Sequence, residues 1–217
     1  MSSRKRLDLD ERRAQLLDLA RSAFASKSYD DVSVDELAQL AGVSKGLIYH
    51  YFPSKRDLYV ATVREMAQEL KEAIEPQPGL TPREQLFRSL DAYIAFAASN
   101  AEYFLSFVRS GIGRDREVSE IRDETRQQAV NFLASYGQHF PLTPTQRVLL
   151  WGWAGFVESV TVAWLREQDA VERKQLARLL SKIFGQTLKT SLSQSQADQS
   201  ESVAPPPPAV EPGSESA

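Results

Sequence analysis

The run from Ser33 to Lys55, SVDELAQLAGVSKGLIYHYFPSK, constrains the fold more than any other part of this 217-residue chain. In its first half Val34, Leu37, Ala38 and Ala41 recur at i, i+3, i+4 and i+7, which sets them on one face of a helix. Ser33 is suited to cap that helix, and Glu36 to complete a capping box by reaching back to the Ser33 amide. Gly42 then ends the helix, because a residue without a Cβ takes the left-handed conformation at low cost. A second helix starts at Ser44, turns Ile48 and Phe52 back toward the first, and stops at Pro53-Ser54. Two short helices about a glycine turn make a helix-turn-helix, whose second member can enter the major groove of DNA.

With Ile48 and Phe52 directed inward, Ser44, Lys45, Leu47, Tyr49, His50 and Tyr51 are left facing outward. No carboxylate stands among them, and an acid there would be repelled by phosphate. Lys55, just beyond, is placed for a phosphate. An aromatic-rich helix between glycine and proline is in general most simply core. The paired helix, the turn and the basic residues around it favour DNA binding here.

The segment Ala41-Gly42-Val43-Ser44-Lys45-Gly46-Leu47-Ile48-Tyr49-His50-Tyr51-Phe52-Pro53-Ser54-Lys55 closely resembles the signature of TetR-type (tetracycline-repressor-like) transcriptional regulators, and the likeness extends over roughly Leu9 to Leu70. The resemblance implies a homodimeric repressor that binds a palindromic double-stranded DNA operator and releases it when a small apolar molecule enters the C-terminal domain. It assigns DNA contacts to Ser33, Ser44, Lys45, Gly46, Leu47, Tyr49, His50, Tyr51 and Lys55. One departure is Leu47, where many members carry Thr or another small polar residue. A leucine there could touch a thymine methyl instead.

The charge distribution is compatible with that expectation. The formal net charge of -3 includes Asp198, Glu201, Glu211 and Glu215, which lie in a stretch without Lys or Arg. Through Arg56 the chain holds ten basic residues against eight acidic ones, so placement on one face rather than total charge must carry the electrostatics. With no cysteine, a disulfide framework and a thiolate metal site are excluded. No run of about eighteen apolar residues occurs and the chain opens Met-Ser-Ser-Arg-Lys-Arg, so the expectation is a cytoplasmic protein without membrane attachment.

The fold expected is all-α, with about nine helices in total. A three-helix DNA-binding domain occupies residues 10–70, its helix-turn-helix at 33–52, and a larger effector-binding and dimerisation domain occupies 71–192. A basic arm, Arg4-Lys5-Arg6, precedes a helix from Asp10 to Ser26 with Leu16, Leu17, Ala20, Ala23 and Phe24 as its stripe. A fourth helix, from Ser54 to about Ala73, links the domains, and Glu75 to Gly79 is a loop. Thr81-Pro82-Arg83-Glu84 and Thr143-Pro144-Thr145-Gln146 each read as a capping box with proline at the first helical position. The first opens a helix to about Asn100, followed by a short one from Glu102 to Arg109 that Gly111-Ile112-Gly113 breaks. A longer helix runs from about Val118 to His139; the second box opens a very apolar helix over 144–167, and the last helix covers 171–192. Residues 193–217, with consecutive prolines at 205–208, cannot bury enough apolar surface to offset ordering and should be a disordered tail.

Two uses compete for the aromatic residues of the second domain. Tyr93, Phe96, Tyr103, Phe104, Phe107, Trp151 and Phe156 either fill the core or line an effector cavity. Trp151, Trp153 and Trp164 cannot share one narrow stripe, so the last two long helices expose more apolar width than one chain needs. Trp153, Val160, Trp164, Leu176, Leu180 and Phe184 are therefore candidates for a four-helix dimer interface. Gly152 and Gly155, each costing about 1 kcal/mol in a helix interior, suggest a close helix contact or an adjacent cavity.

An enzyme is not expected. The histidines, His50 and His139, form no metal-ligand spacing, and no glycine-rich phosphate loop occurs. The acids of Glu120-Arg122-Asp123-Glu124-Arg126 read as a solvated helical face. No cofactor or metal is expected. The alternatives are a cytosolic helical ligand carrier that never meets DNA, and a transcription activator with the same DNA contacts.

Overall fold

The computed structural model describes residues 9–109, 115–135, 143–167 and 170–186, with the side chains of 106–109 and 135 excepted. The arm before Leu9, the Gly111-Ile112-Gly113 break, the stretch from Tyr136 to His139, the Phe107 side chain and the tail lie outside the described residues. Among the described residues the regular elements are all α-helices: α1 (Leu9–Ser26), α2 (Val34–Ala41), α3 (Lys45–Tyr51), α4 (Lys55–Ala73), α5 (Pro82–Ser99), α6 (Ala101–Arg109), α7 (Arg116–Ser135) and α8 (Pro144–Arg166). A further helix, α9, is described over 173–186. The chain divides into a unit that ends at Ser181 and one that begins at Lys182.

Side chains set most of these boundaries. Thr81 and Thr143 each accept a hydrogen bond from the third helical amide, and Glu84 and Gln146 return the bond to the cap backbone, so both expected capping boxes form. Ser44 and Ser54 cap α3 and α4 by accepting from the Leu47 and Asp57 amides. Gly42 ends α2 at φ 64°, in the left-handed region, and its amide reaches back to the Ala38 and Gln39 carbonyls. The box expected at Ser33 is half formed. The Ser33 hydroxyl accepts from the Glu36 amide, but the Glu36 carboxylate turns away to Lys27 at 2.6 Å. α7 starts two residues before the expected Val118, because the Asp115 carboxylate accepts from the Glu117 and Val118 amides.

The helix-turn-helix does not have a core to itself. Leu16, Leu17, Ala20 and Phe24 of α1 meet Leu37, Ala38, Ile48 and Phe52, and the same buried cluster continues through Leu58, Tyr59, Val63 and Met66 of α4 into Tyr103, Val118 and Ile121. Helix α1 packs on both α4 and α6, and α4 on α7, so the helix-turn-helix shares buried side chains with α4, α6 and α7. The Arg21 guanidinium fastens α1 to α4 through Glu69, at 2.6 and 2.9 Å, and through Glu65 at 3.3 Å. A second cluster of Ala97, Phe104 and Leu165, flanked by Tyr93 and Trp164, joins α5, α6 and α8.

Candidate nucleic-acid interface and ligand cavity

Helix α3 is anchored by Ile48, 1% exposed, with Phe52 buried at its C-terminal cap. That anchoring turns Ser44, Lys45, Gly46, Tyr49 and His50 to solvent, with Tyr49 39% exposed, while Leu47 is half-buried. Tyr51 is also half-buried and leans on the core, its ring 5.6 Å from His50 in a T-shaped pair. The outward residues are not idle in the free protein. The Ser44 hydroxyl caps α3, and Ser33, half-buried, caps α2. The Lys45 ammonium lies 2.7 Å from Asp35 of α2, which holds its proton above the ordinary lysine range. Lys55 donates to the Asp30 carbonyl at 3.0 Å and stands 4.7 Å from the Tyr29 ring, so it ties the α1–α2 connection to the start of α4.

A cavity of about 170 Å³ lies between α4, α5, α7 and α8. Of the seven aromatic candidates named from the sequence, Tyr93, Phe96 and Phe104 line it, and its apolar wall is completed by Met66, Leu90, Phe132, Leu133 and Trp153. Tyr103 does not. It is 3% exposed in the core shared with α1 to α4, and its hydroxyl pairs with Thr62 at 2.9 Å. Trp151 is half-buried under the Arg126 guanidinium, 5.4 Å from its ring, and Phe156 is 42% exposed, both off the cavity wall. Trp153, read as an interface residue, is instead 7% exposed and faces the cavity, since it lies on the side of α8 that carries Leu150 and Val157. Leu176, Leu180 and Phe184 are likewise buried, whereas Val160 and Trp164 are half-buried, the Trp164 indole donating to the Val171 carbonyl at 2.7 Å.

Two charged groupings were missed by sequence reasoning. The first sits against the cavity: Glu158 of α8 accepts from Arg122 and, at 2.7 Å, from Arg126. The acids of Glu120-Arg122-Asp123-Glu124-Arg126 are expected on a solvated face; Glu120 is exposed and pairs with Arg116 one turn back, but Arg122 and Arg126 reach across to α8. The available signal was Glu158 itself, the lone acid of a predominantly apolar helix. Burial pushes the Tyr93 hydroxyl above the ordinary phenol range, and nearby Glu158 pushes the same way, so Tyr93 presents a neutral phenol to the cavity. The second grouping joins α4 to the start of α7. Arg56 donates twice to Asp115, at 2.6 and 2.7 Å, and lies 3.1 Å from Glu117, which also pairs with Arg64. That bidentate bond holds the Asp115 carboxyl below its ordinary range. Among the described residues no three or more His, Asp or Glu side chains come together as a metal site would require.

Comparison with known proteins matches residues 16–62 to the bacterial regulatory proteins of the tetR family and residues 82–185 to the tetracyclin repressor-like C-terminal domain. The HTH-type transcriptional regulator BetI of Escherichia coli is 33% identical over 149 residues, 58% of this chain and 75% of BetI. The HTH-type transcriptional activator FasR of Mycolicibacterium smegmatis is 30% identical over 123 residues, and the match spans 55% of this chain and 56% of FasR, little more than half its length. The crystal structure of a tetR-family transcriptional regulator from Streptomyces coelicolor shares the fold with a TM-score of 0.77 at 26% identity, over 87% of this chain and 85% of that one.

Proposed function

The chain belongs to the TetR family of bacterial transcription regulators, and we propose that it is a cytoplasmic homodimeric repressor that holds a palindromic operator through α3 and releases it when a small, largely apolar molecule fills the cavity. As a member of that family it is a DNA-binding, ligand-responsive regulator rather than an enzyme. The observation that carries the DNA contacts is the acid-free outward face of α3, on which Ser44, Lys45, Gly46, Tyr49 and His50 are exposed while Ile48 is sealed inside. Leu47, half-buried at the edge of that face, can meet a thymine methyl, and Tyr51 and Lys55 can reach phosphate from its rim.

The dimer surface is the outward face of α8. Leu149, Gly152, Phe156, Ser159 and Ala163 follow one another at spacings of three and four residues, and all are exposed, Leu149 at 41% and Phe156 at 42%. A Cβ built on Gly152 meets nothing within 4 Å among the described residues outside its own stretch of helix, so the close helix approach that this glycine permits is to a second copy. Helix α8 is long and apolar enough to cross a membrane. Its capping box, its Glu158 ion pairs and its buried opposite face favour a subunit contact instead.

Release follows from what the cavity helices hold. Ligand entry between α4 and α7 displaces one against the other, and Arg56 lies at the N-terminal end of α4, directly after α3, clasped to the first residues of α7. A shift of α7 then re-aims both recognition helices, which a two-fold dimer must keep about 34 Å, or a multiple, apart. The test is titration of a labelled operator fragment, recovered by sequencing genomic DNA retained on the purified dimer. Log affinity should fall steeply with log salt. A protein with no salt-dependent affinity for any duplex is a ligand carrier, and this reading fails. Transcription from the recovered promoter, with and without the protein, separates repressor from activator.

A further inference from the structure

Two hollows meet at one thin partition in the seam between α4 and α7. On the inner side is the apolar cavity, along which α4 sets Val63, Met66 and Leu70 over roughly 10 Å of helix. On the outer side a larger groove of about 860 Å³ follows the same seam, lined by Arg64, Gln68 and Lys71 of α4 and by Glu124 and Gln128 of α7. Ala67, Ile121 and Thr125 line both hollows, so a single layer of side chains separates them. That layer is slight. Ala67 contributes one methyl group, and the Thr125 hydroxyl is held by the Ile121 carbonyl of its own helix at 2.8 Å, so parting these two residues breaks no hydrogen bond of theirs. Arg56 and Arg64, which reach Asp115 and Glu117, tie the helices nearer their starts.

The chemistry changes across the partition. Inside, the wall around it is Met66, Leu70, Ala129 and Phe132; outside, exposed guanidinium, ammonium, carboxylate and amide groups offer donors and acceptors together. The cavity, about 170 Å³, is little larger than an apolar hollow of about 150 Å³ that holds one benzene ring, so it takes an apolar body and leaves no room for a large polar group beside it. Resting on the ligand-responsive reading above, we propose that the groove is the second half of the effector site. The effector is an amphiphile whose apolar body passes between Ala67 and Thr125 into the cavity. Its polar head, a group that both donates and accepts hydrogen bonds, stays outside among Gln68, Lys71, Glu124 and Gln128.

The chain has no cysteine, so a single introduced thiol reports on its own place alone. Gln68→Cys and Gln128→Cys put one on the groove rim, and Glu75→Cys puts one next to Ile74, on the α4–α5 side of the cavity. All three positions are exposed, so the fold is left undisturbed. Two probes share one apolar body and differ in the size of the head, 4-phenylbutan-1-ol and N-(4-phenylbutyl)gluconamide. Each is titrated into every full-length variant by calorimetry, and the reaction of the thiol with 4,4′-dithiodipyridine is timed with and without it. Both should bind, the gluconamide at least as tightly as the alcohol. The gluconamide should slow the reaction at Gln68→Cys and Gln128→Cys by about fivefold or more and leave Glu75→Cys unchanged. The alcohol, whose head is too small to cover the rim, should slow either rim thiol by no more than about twofold. If the alcohol binds and the gluconamide does not, or if the gluconamide protects Glu75→Cys or none of the three, the groove holds no part of the effector: the proposal is overturned and the ligand cavity stands. If neither probe binds, the cavity admits no such body, and the ligand-release reading falls with the proposal.

Discussion

Two adjacent rings of α6 part between core and cavity. Tyr103 and Phe104 are neighbours, yet Phe104 reaches the cavity while Tyr103 turns its ring into the core around α1 and α4, where Thr62 pairs with its hydroxyl and donates in turn to the Tyr59 carbonyl. Tyr103→Phe should therefore lower stability by about 1 kcal/mol in urea unfolding, the value of one buried hydrogen bond, without changing the affinity of any cavity ligand. A loss of ligand affinity would return Tyr103 to the cavity. On the reading face, Lys45 cannot approach phosphate without giving up Asp35. Asp35→Asn should accordingly raise affinity for any duplex several-fold, and Lys45→Ala should weaken it and reduce the salt slope by about 1. Anisotropy titrations across a salt series check both, and an Asp35→Asn protein with unaltered affinity would remove Lys45 from the interface. Periodicity identified Ile48 and Phe52 as the inward pair. It could not show that Lys45 and Lys55 already have partners, because Asp35 and the Asp30 carbonyl are brought to them by turns.

Between elements, the Arg56–Asp115 clasp joins the helix that follows α3 to the helix that carries the charged cavity wall. Asp115 also caps α7, so the clasp pulls on the start of that helix rather than on a loop. Arg56→Gln should leave operator affinity of the ligand-free dimer nearly unchanged and shrink the ratio of affinities with and without ligand, which for coupled sites is commonly about 5- to 150-fold, toward 1. A full ratio in the variant would place the coupling elsewhere. The pH dependence has a definite sign. Arg56 makes the folded Asp115 carboxyl more acidic than its ordinary value of 3.8, so the clasp contributes stability above that pH and loses it as pH falls through the lowered value. Acid unfolding of Arg56→Gln should thus show less pH dependence below about 4 than the wild type. Nothing local in the sequence announces this pair. Arg56 and Asp115 lie 59 positions apart, and each looks like an ordinary surface charge on its own helix.

At the scale of the molecule, the helices and their caps were legible because each boundary is written by neighbours in sequence, as at Thr81-Glu84 and Thr143-Gln146. The assignment of faces on α8 was not. Trp151, Trp153 and Phe156 have similar apolarity, and only the packing of α5 and α7 against one side decides that Trp153 lines the cavity while Phe156 faces out. The apolar width of α8 that suggested a dimer is real, but its exposed part runs through Leu149, Gly152 and Phe156. Phe156→Glu puts a charge at the middle of that strip, on a residue 42% exposed in its own chain, so the protomer should keep its helical content and ligand affinity. Two such charges facing each other across a two-fold axis should instead shift the protein to a monomer in sedimentation equilibrium. Each monomer then binds a half-site alone and loses the effective concentration that its partner supplied, and operator affinity should fall by about a hundredfold or more. A Phe156→Glu protein that stays dimeric and grips the operator normally would move the subunit contact off this face of α8, and with it the explanation for an exposed glycine inside a long apolar helix.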